Sequence, residues 1–185
     1  MAIVNDTYRF IFLFEPHTAS RSIRDALKTL HGSRVLGDHH ITIHKMNQRN
    51  MLSPREKKYK TISTIRNPYD YFVTYYMMSG GETGFSNWLE KYFKYHDTIF
   101  LHTDSDYLIR YESLPDSLND VLGLFNAPPV ELGYVGKTRN KPPWQSMYSD
   151  RSAKIMDANI PDSLRFGYSF SSHFEGDPLY GRRTT

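Results

Sequence analysis

The chain has 185 residues, with 23 lysines and arginines against 20 aspartates and glutamates, for a formal net charge of +3. Hydrophobic residues make up 39% and aromatics 15%, which excludes global disorder, and no apolar run approaches the ~20 residues of a transmembrane helix. Cysteine is absent, so disulfides, thiolate metal sites and thiol nucleophiles are excluded together.

The opening MAIVNDTYRF lacks a basic region followed by an apolar one, so no signal peptide is expected and the expected setting is cytoplasmic. The basic residues are scattered. Their densest groups are Arg55, Lys57, Lys58 and Lys60, then Lys137, Arg139 and Lys141. Nucleic-acid binding would call for a stronger basic stripe, whereas one small anion needs only a few placed cations and a helix N-terminus. The length suits a single domain, with its core over about residues 7–174 and a loose tail over 175–185.

The first expected element is a strand over residues 8–14, whose run from Phe10 to Phe14 suits burial on both faces. A polar loop, residues 15–20, follows. Ile23, Ala26, Leu27 and Leu30 then recur at helical spacing. A short strand is expected at residues 34–36. The same strand-then-helix pattern returns over residues 59–66, with Asn67 as N-cap and Pro68 opening a helix that carries Tyr69, Phe72, Val73, Tyr76 and Met77. After a helix over residues 85–95, a third copy has its strand at 106–111 and its helix on Leu114, Leu118, Val121, Leu122 and Phe125. Ser149 and Asp150 open a last helix. Strands alternating with helices predict a three-layer α/β domain with a mainly parallel sheet.

Strand ends in such sheets face a ligand crevice. The loop PHTASRS, residues 16–22, lies at one such end and at a helix N-terminus, which suits phosphate or sulfate. It lacks the Walker A spacing. At the next strand end stand Arg66 and, two helical turns on, Thr74, an arginine and a hydroxyl able to clamp a second phosphate.

Together these stretches match a family. Residues 12–23 (FLFEPHTASRSI) resemble the loop with which sulfotransferases hold the 5′-phosphosulfate of 3′-phosphoadenosine 5′-phosphosulfate (PAPS). Residues 65–76 (IRNPYDYFVTYY) resemble that family's 3′-phosphate element, and residues 108–114 and 166–168 resemble its later strand and its closing Phe-Gly-Tyr. The loop is most similar to that of the carbohydrate-modifying branch. The resemblance implies a P-loop-like fold and sulfuryl transfer from PAPS to a hydroxyl acceptor, most plausibly a carbohydrate, with no metal required. It implies that His17, Thr18, Ala19, Ser20, Arg21 and Ser22 cradle the 5′-phosphosulfate. Arg66 and Thr74 would hold the 3′-phosphate, and Lys137, Thr138 and Arg139 would close over the nucleotide. His17 stands where the family usually has a lysine or arginine, and Ser20 where it has a glycine.

A base must take the acceptor's proton. The candidates are His40 first, His39 second, and Glu15 within the loop itself; His17 is the candidate for contact with the leaving phosphate. His40 and His44 also have the i, i+4 spacing that ligates zinc on a helix, but without the glutamate of a metalloprotease motif, so no metal is expected. Trp144 could stack on a sugar or a base, or plug a core. The alternatives are a non-catalytic module binding PAPS or its product on the same fold, and an atypical P-loop kinase requiring Mg²⁺–ATP.

Overall fold

The computed structural model describes residues 1–38, 40–81, 83–95, 100–133, 140–161, 167–168 and 179–180. The fold is α/β, with an open mixed sheet flanked by helices. The chain forms two compact units, one from residues 1–65, 100–136 and 177–185, the other from residues 66–99 and 137–176.

The first unit holds the sheet. Its strands are β1 (Ala2–Asn5), β2 (Phe10–Leu13), β3 (Ser33–Leu36), β4 (Lys60–Ile65), β5 (Tyr107–Arg110) and the two-residue β6 (Leu179–Tyr180). Their order is β3-β1-β2-β4-β5-β6. β4 runs parallel to β2 and to β5, but β1 is antiparallel to β2 and β3, and β6 is antiparallel to β5. The expectation of a mainly parallel sheet is therefore corrected. The cause is local. Residues 6–9 are too few for a crossover, so β1 and β2 must form a hairpin. Asn5 closes that hairpin: its side chain accepts the Tyr8 N–H at 2.7 Å and its carbonyl accepts the Arg9 N–H at 2.9 Å. The core also begins earlier than expected, because Ala2, Ile3 and Val4 are fully buried. Two residues of the expected loose tail form β6; the rest of residues 175–185 lies outside the described residues.

The two-residue period of the strands divides the core. Ile3, Phe10, Phe12, Ile62 and Ile109 gather on one face with Ile23 and Leu27 of α1 (Ser20–Leu27) and Leu118, Val121 and Leu122 of α5 (Asp116–Leu124). Ala2, Val4, Ile11 and Leu13 gather on the other with Ile41, Leu52, Tyr59 and Met46 of α2 (Ile43–Gln48). Double-sided burial explains why residues 10–14 read as an unbroken apolar run.

Gly32 joins α1 to β3. Its φ is +79°, and an added Cβ would lie 2.3 Å from Thr7 Oγ1 and 3.0 Å from the Thr7 backbone nitrogen. The Asp6 N–H also donates to its carbonyl at 3.0 Å. The left-handed φ strains any L side chain and the Thr7 hydroxyl would have to move, so Gly32→Ala is expected to destabilise the protein by about 2 kcal/mol. A urea midpoint within error of wild type would refute this.

The second unit is helical: α3 (Pro68–Met78), α4 (Phe85–Tyr95) and α6 (Asp150–Asn159). Asn67 caps α3 through the Tyr69 N–H at 2.9 Å, with Pro68 in the first turn, as its sequence predicts. Ser149 and Ser152 form a reciprocal capping box on α6. The aromatic run of α3 is packing surface. Phe72 meets Trp88, Tyr92 and Phe93 at ring separations of 5.1–6.3 Å, and Tyr76 meets Phe85 and Trp88 at 5.3 and 5.6 Å. Trp144 stacks on Tyr69 at 5.5 Å and 21°, so one of its faces is committed to the protein.

Candidate functional site

In the first unit, β2 runs into the loop 14–19, and α1 begins at Ser20. Two non-glycine residues of this loop are left-handed, His17 at φ 58° and Ala19 at φ 60°. Ala19 is the N-cap of α1 and offers no side-chain cap; its carbonyl takes the Ile23 N–H at 3.0 Å. The first turn of α1 thus receives no capping oxygen from its own N-cap, the local condition under which an anion is favoured there.

Two loop hydroxyls turn inward. Thr18 is fully buried; its Oγ1 donates to the Glu15 carbonyl at 2.8 Å and lies 2.5 Å from Thr64 Oγ1. Ser20 Oγ donates to the same carbonyl. These hydroxyls therefore shape the loop, and what Thr18 and Ser20 can offer a ligand is their main-chain N–H groups. Ser22 is buried, His17 is half-buried, and Arg21 is exposed.

Glu15 is 1% exposed. Its Oε2 accepts the Leu101 N–H at 2.8 Å, while Oε1 is buried and meets no partner among the described residues. Burial pushes its carboxyl up to about 8, against the pull of the Leu101 and His102 N–H groups. At neutral pH the group is mostly protonated, so it can donate a proton but not serve as the resting base.

His40 sits in a turn at φ 56°, with its ring Nδ1 3.2 Å from the Phe14 carbonyl. A carbonyl only accepts, so Nδ1 carries the hydrogen, and in the neutral ring this leaves the lone pair on Nε2, the tautomer a general base requires. His44 lies beyond the Thr42 cap, inside α2, so the two histidines do not share a helix face as a zinc pair would. His39 lies outside the described residues.

His102 was not among the sequence candidates. It is 1% exposed, and burial lowers its imidazole to about 4, against the raising influence of the Phe14 carbonyl and Asp104. In the sequence it is one polar residue in the turn before β5. Only its burial beside the loop distinguishes it.

In the second unit, Arg66 directly follows β4 and is 4% exposed. Its Nε and Nη2 reach Asp70 Oδ2 at 2.9 and 2.5 Å, and Lys141 Nζ pairs with Asp70 Oδ1. Two cations on one carboxylate leave a net charge of +1, gathered on Asp70 in the first turn of α3. Thr74 Oγ1 donates to the Asp70 carbonyl at 3.0 Å, one turn back in its own helix. Lys141 stood in the sequence only as a member of a basic group, because its partner is 71 residues away. Lys137, Thr138 and Arg139 lie outside the described residues.

Comparison with family models, with curated proteins and with solved structures finds no match.

Proposed function

We propose that the chain is a PAPS-dependent sulfotransferase with a P-loop-like, three-layer fold, transferring a sulfuryl group to a hydroxyl acceptor, most plausibly on a carbohydrate. The observation that carries this reading is the left-handed Ala19 cap at the head of α1, which lacks a side-chain cap in the loop that resembles the family's donor loop. In this reading the N–H groups of residues 18–22 take the 5′-phosphosulfate, and His17 and Arg21 add positive charge or hydrogen bonds. Arg66 takes the 3′-phosphate, beside Lys141 on their shared Asp70 carboxylate. Thr74 braces the helix that carries them. The acceptor oxygen attacks sulfur, the bond from sulfur to the bridging phosphate oxygen breaks, and the acceptor proton passes to His40 Nε2. Positioning and fixed dipoles supply most of the acceleration, as in phosphoryl transfer. No metal has a part in this scheme.

Calorimetric titration with 3′,5′-adenosine bisphosphate tests the reading. The bisphosphate is expected to bind without Mg²⁺, with Arg66→Ala weakening it at least ~30-fold. Folded protein that ignores the bisphosphate overturns the reading, and Mg²⁺–ATP binding in its place would favour the kinase alternative. His17, standing where the resembling loops have a cation, motivates a second reading as a non-catalytic nucleotide-binding module. That reading expects the same titration with no turnover on any hydroxyl acceptor.

A further inference from the structure

Glu15 Oε1, both ring nitrogens of His102 and Ser105 Oγ are buried and meet no hydrogen-bonding partner among the described residues. Such groups are costly to leave unpaired, and two of these residues meet through the main chain, where the Leu101 and His102 N–H groups face the Glu15 carboxyl. Glu15 is where the donor-type loop is tied down. Its carboxyl takes the Leu101 N–H, and its main-chain carbonyl takes the hydroxyls of Thr18 and Ser20. His102 follows Leu101, and the Ser105 N–H closes that turn onto the His102 carbonyl at 3.2 Å. One residue before Glu15, the Phe14 carbonyl receives His40 Nδ1 and also acts on the His102 ring.

We propose that Glu15 and His102 are a positioning pair that holds the loop 15–20 and the His40 ring to the turn 101–105, and that loss of the carboxyl proton to solvent loosens the loop. While the pair is uncharged, its burial is tolerable and the attachments stand. Ionisation puts a full charge where, among the described residues, the Leu101 and His102 N–H groups alone are turned toward it. Among the described residues, the other titratable groups around the pair are His40 before α2, Asp104 on the same turn, and the Met1 α-amino group with Asp38 beside it. That amino group is itself lowered by burial to about 6 and is largely uncharged where Glu15 ionises, so it offers little counter-charge. The carboxylate must then draw in water or turn the His102 ring toward itself. Either change disturbs the Phe14 and Glu15 carbonyls on which His40, Thr18 and Ser20 depend. With the carboxyl titrating at about 8 and His102 at about 4, the pair is uncharged across the range between.

Amide hydrogen exchange at residues 17–22, measured without ligand and corrected for intrinsic pH dependence, tests this from pH 6.5 to 9.5. Protection in the wild type is expected to fall at least tenfold through about pH 8, and to stay level in Glu15→Gln. His102→Phe, which removes the ring nitrogens, is expected to move the wild-type midpoint upward, and His102→Asn to bring it part of the way back. Level protection in the wild type, or an equal fall in Glu15→Gln, overturns the proposal; a midpoint unmoved by His102→Phe removes His102 from it. The ¹³C signal of the Glu15 carboxyl in the wild type needs no variant, and a midpoint in the ordinary carboxylate range overturns the proposal by itself. No nucleotide enters any of these readings, so they stand whether or not the bisphosphate binds.

Discussion

Asp70→Ala is expected to destabilise the protein by about 3 kcal/mol while tightening its grip on phosphate-bearing ligands. Asp70 balances two cations at once, and the Arg66 and Lys141 side chains are only 5% and 18% exposed. Removing one partner of a buried pair leaves an uncompensated buried charge, which costs more than the pair itself contributes. The same loss raises the local charge from +1 to +2, which favours any anion that can reach Arg66 and Lys141. Stability and anion affinity should therefore move in opposite directions in Asp70→Ala, and both should fall in Arg66→Ala. Inorganic phosphate should restore part of the lost stability in Asp70→Ala, because a ligand bound only by the folded state raises its stability by mass action. Urea unfolding with and without phosphate reads both effects. A loss below about 1 kcal/mol would place the pair among ordinary surface ion pairs.

Glu15→Gln should overtake the wild type in stability as pH rises. Burial, set against the Leu101 and His102 N–H groups, carries the Glu15 carboxyl from its ordinary 4.5 to about 8. The folded protein thus holds a proton that the unfolded chain has already released, over the whole interval from 4.5 to 8. Stability from this group is complete below the unfolded value, falls by ~1.4 kcal/mol per pH unit across the interval, and is lost above the folded value. The glutamine can keep the Leu101 bond but cannot ionise. Subtracting one protein's stability from the other's cancels the background titrations, His102 and the α-amino group included. The gap in favour of Glu15→Gln should open by about 4 kcal/mol between pH 4.5 and 8, then stay flat. A gap that opens only below pH 5 would mean the carboxyl is solvated.

The elements most legible in the sequence are those whose cause lies within a turn or two of chain. The Asn67–Pro68 start of α3 is such a case, because an N-cap and a first-turn proline act on neighbouring backbone. The Ser149 start of α6 is another. The apolar run from Phe10 to Phe14 announced a strand buried on both faces, and the core clusters place Phe10 and Phe12 on one side and Ile11 and Leu13 on the other. The candidate residues around the loop 14–19 were legible as residue types at a strand end, which is a property of spacing.

What only the tertiary structure decided was direction, burial and partnership. β1 runs antiparallel to β2 because a four-residue turn joins them, and it also pairs antiparallel with β3, where its Asn5 is bonded to Ser33 across 28 residues. The hydroxyls of Thr18 and Thr74 were expected on a ligand. They turn instead to the Glu15 and Asp70 carbonyls, since a buried hydroxyl takes the nearest free acceptor. Glu15 was visible as a carboxylate in a loop, but its protonation rests on burial, which outweighs the opposing N–H of Leu101, 86 residues away. The pairing of Lys141 with Asp70 and the burial of His102 were illegible for the same reason. The sequence by itself determined which elements form and which chemical groups stand at the strand ends. Charge state and hydrogen-bond direction awaited the folded chain, because desolvation and pairing depend on contacts between residues that no local pattern brings together.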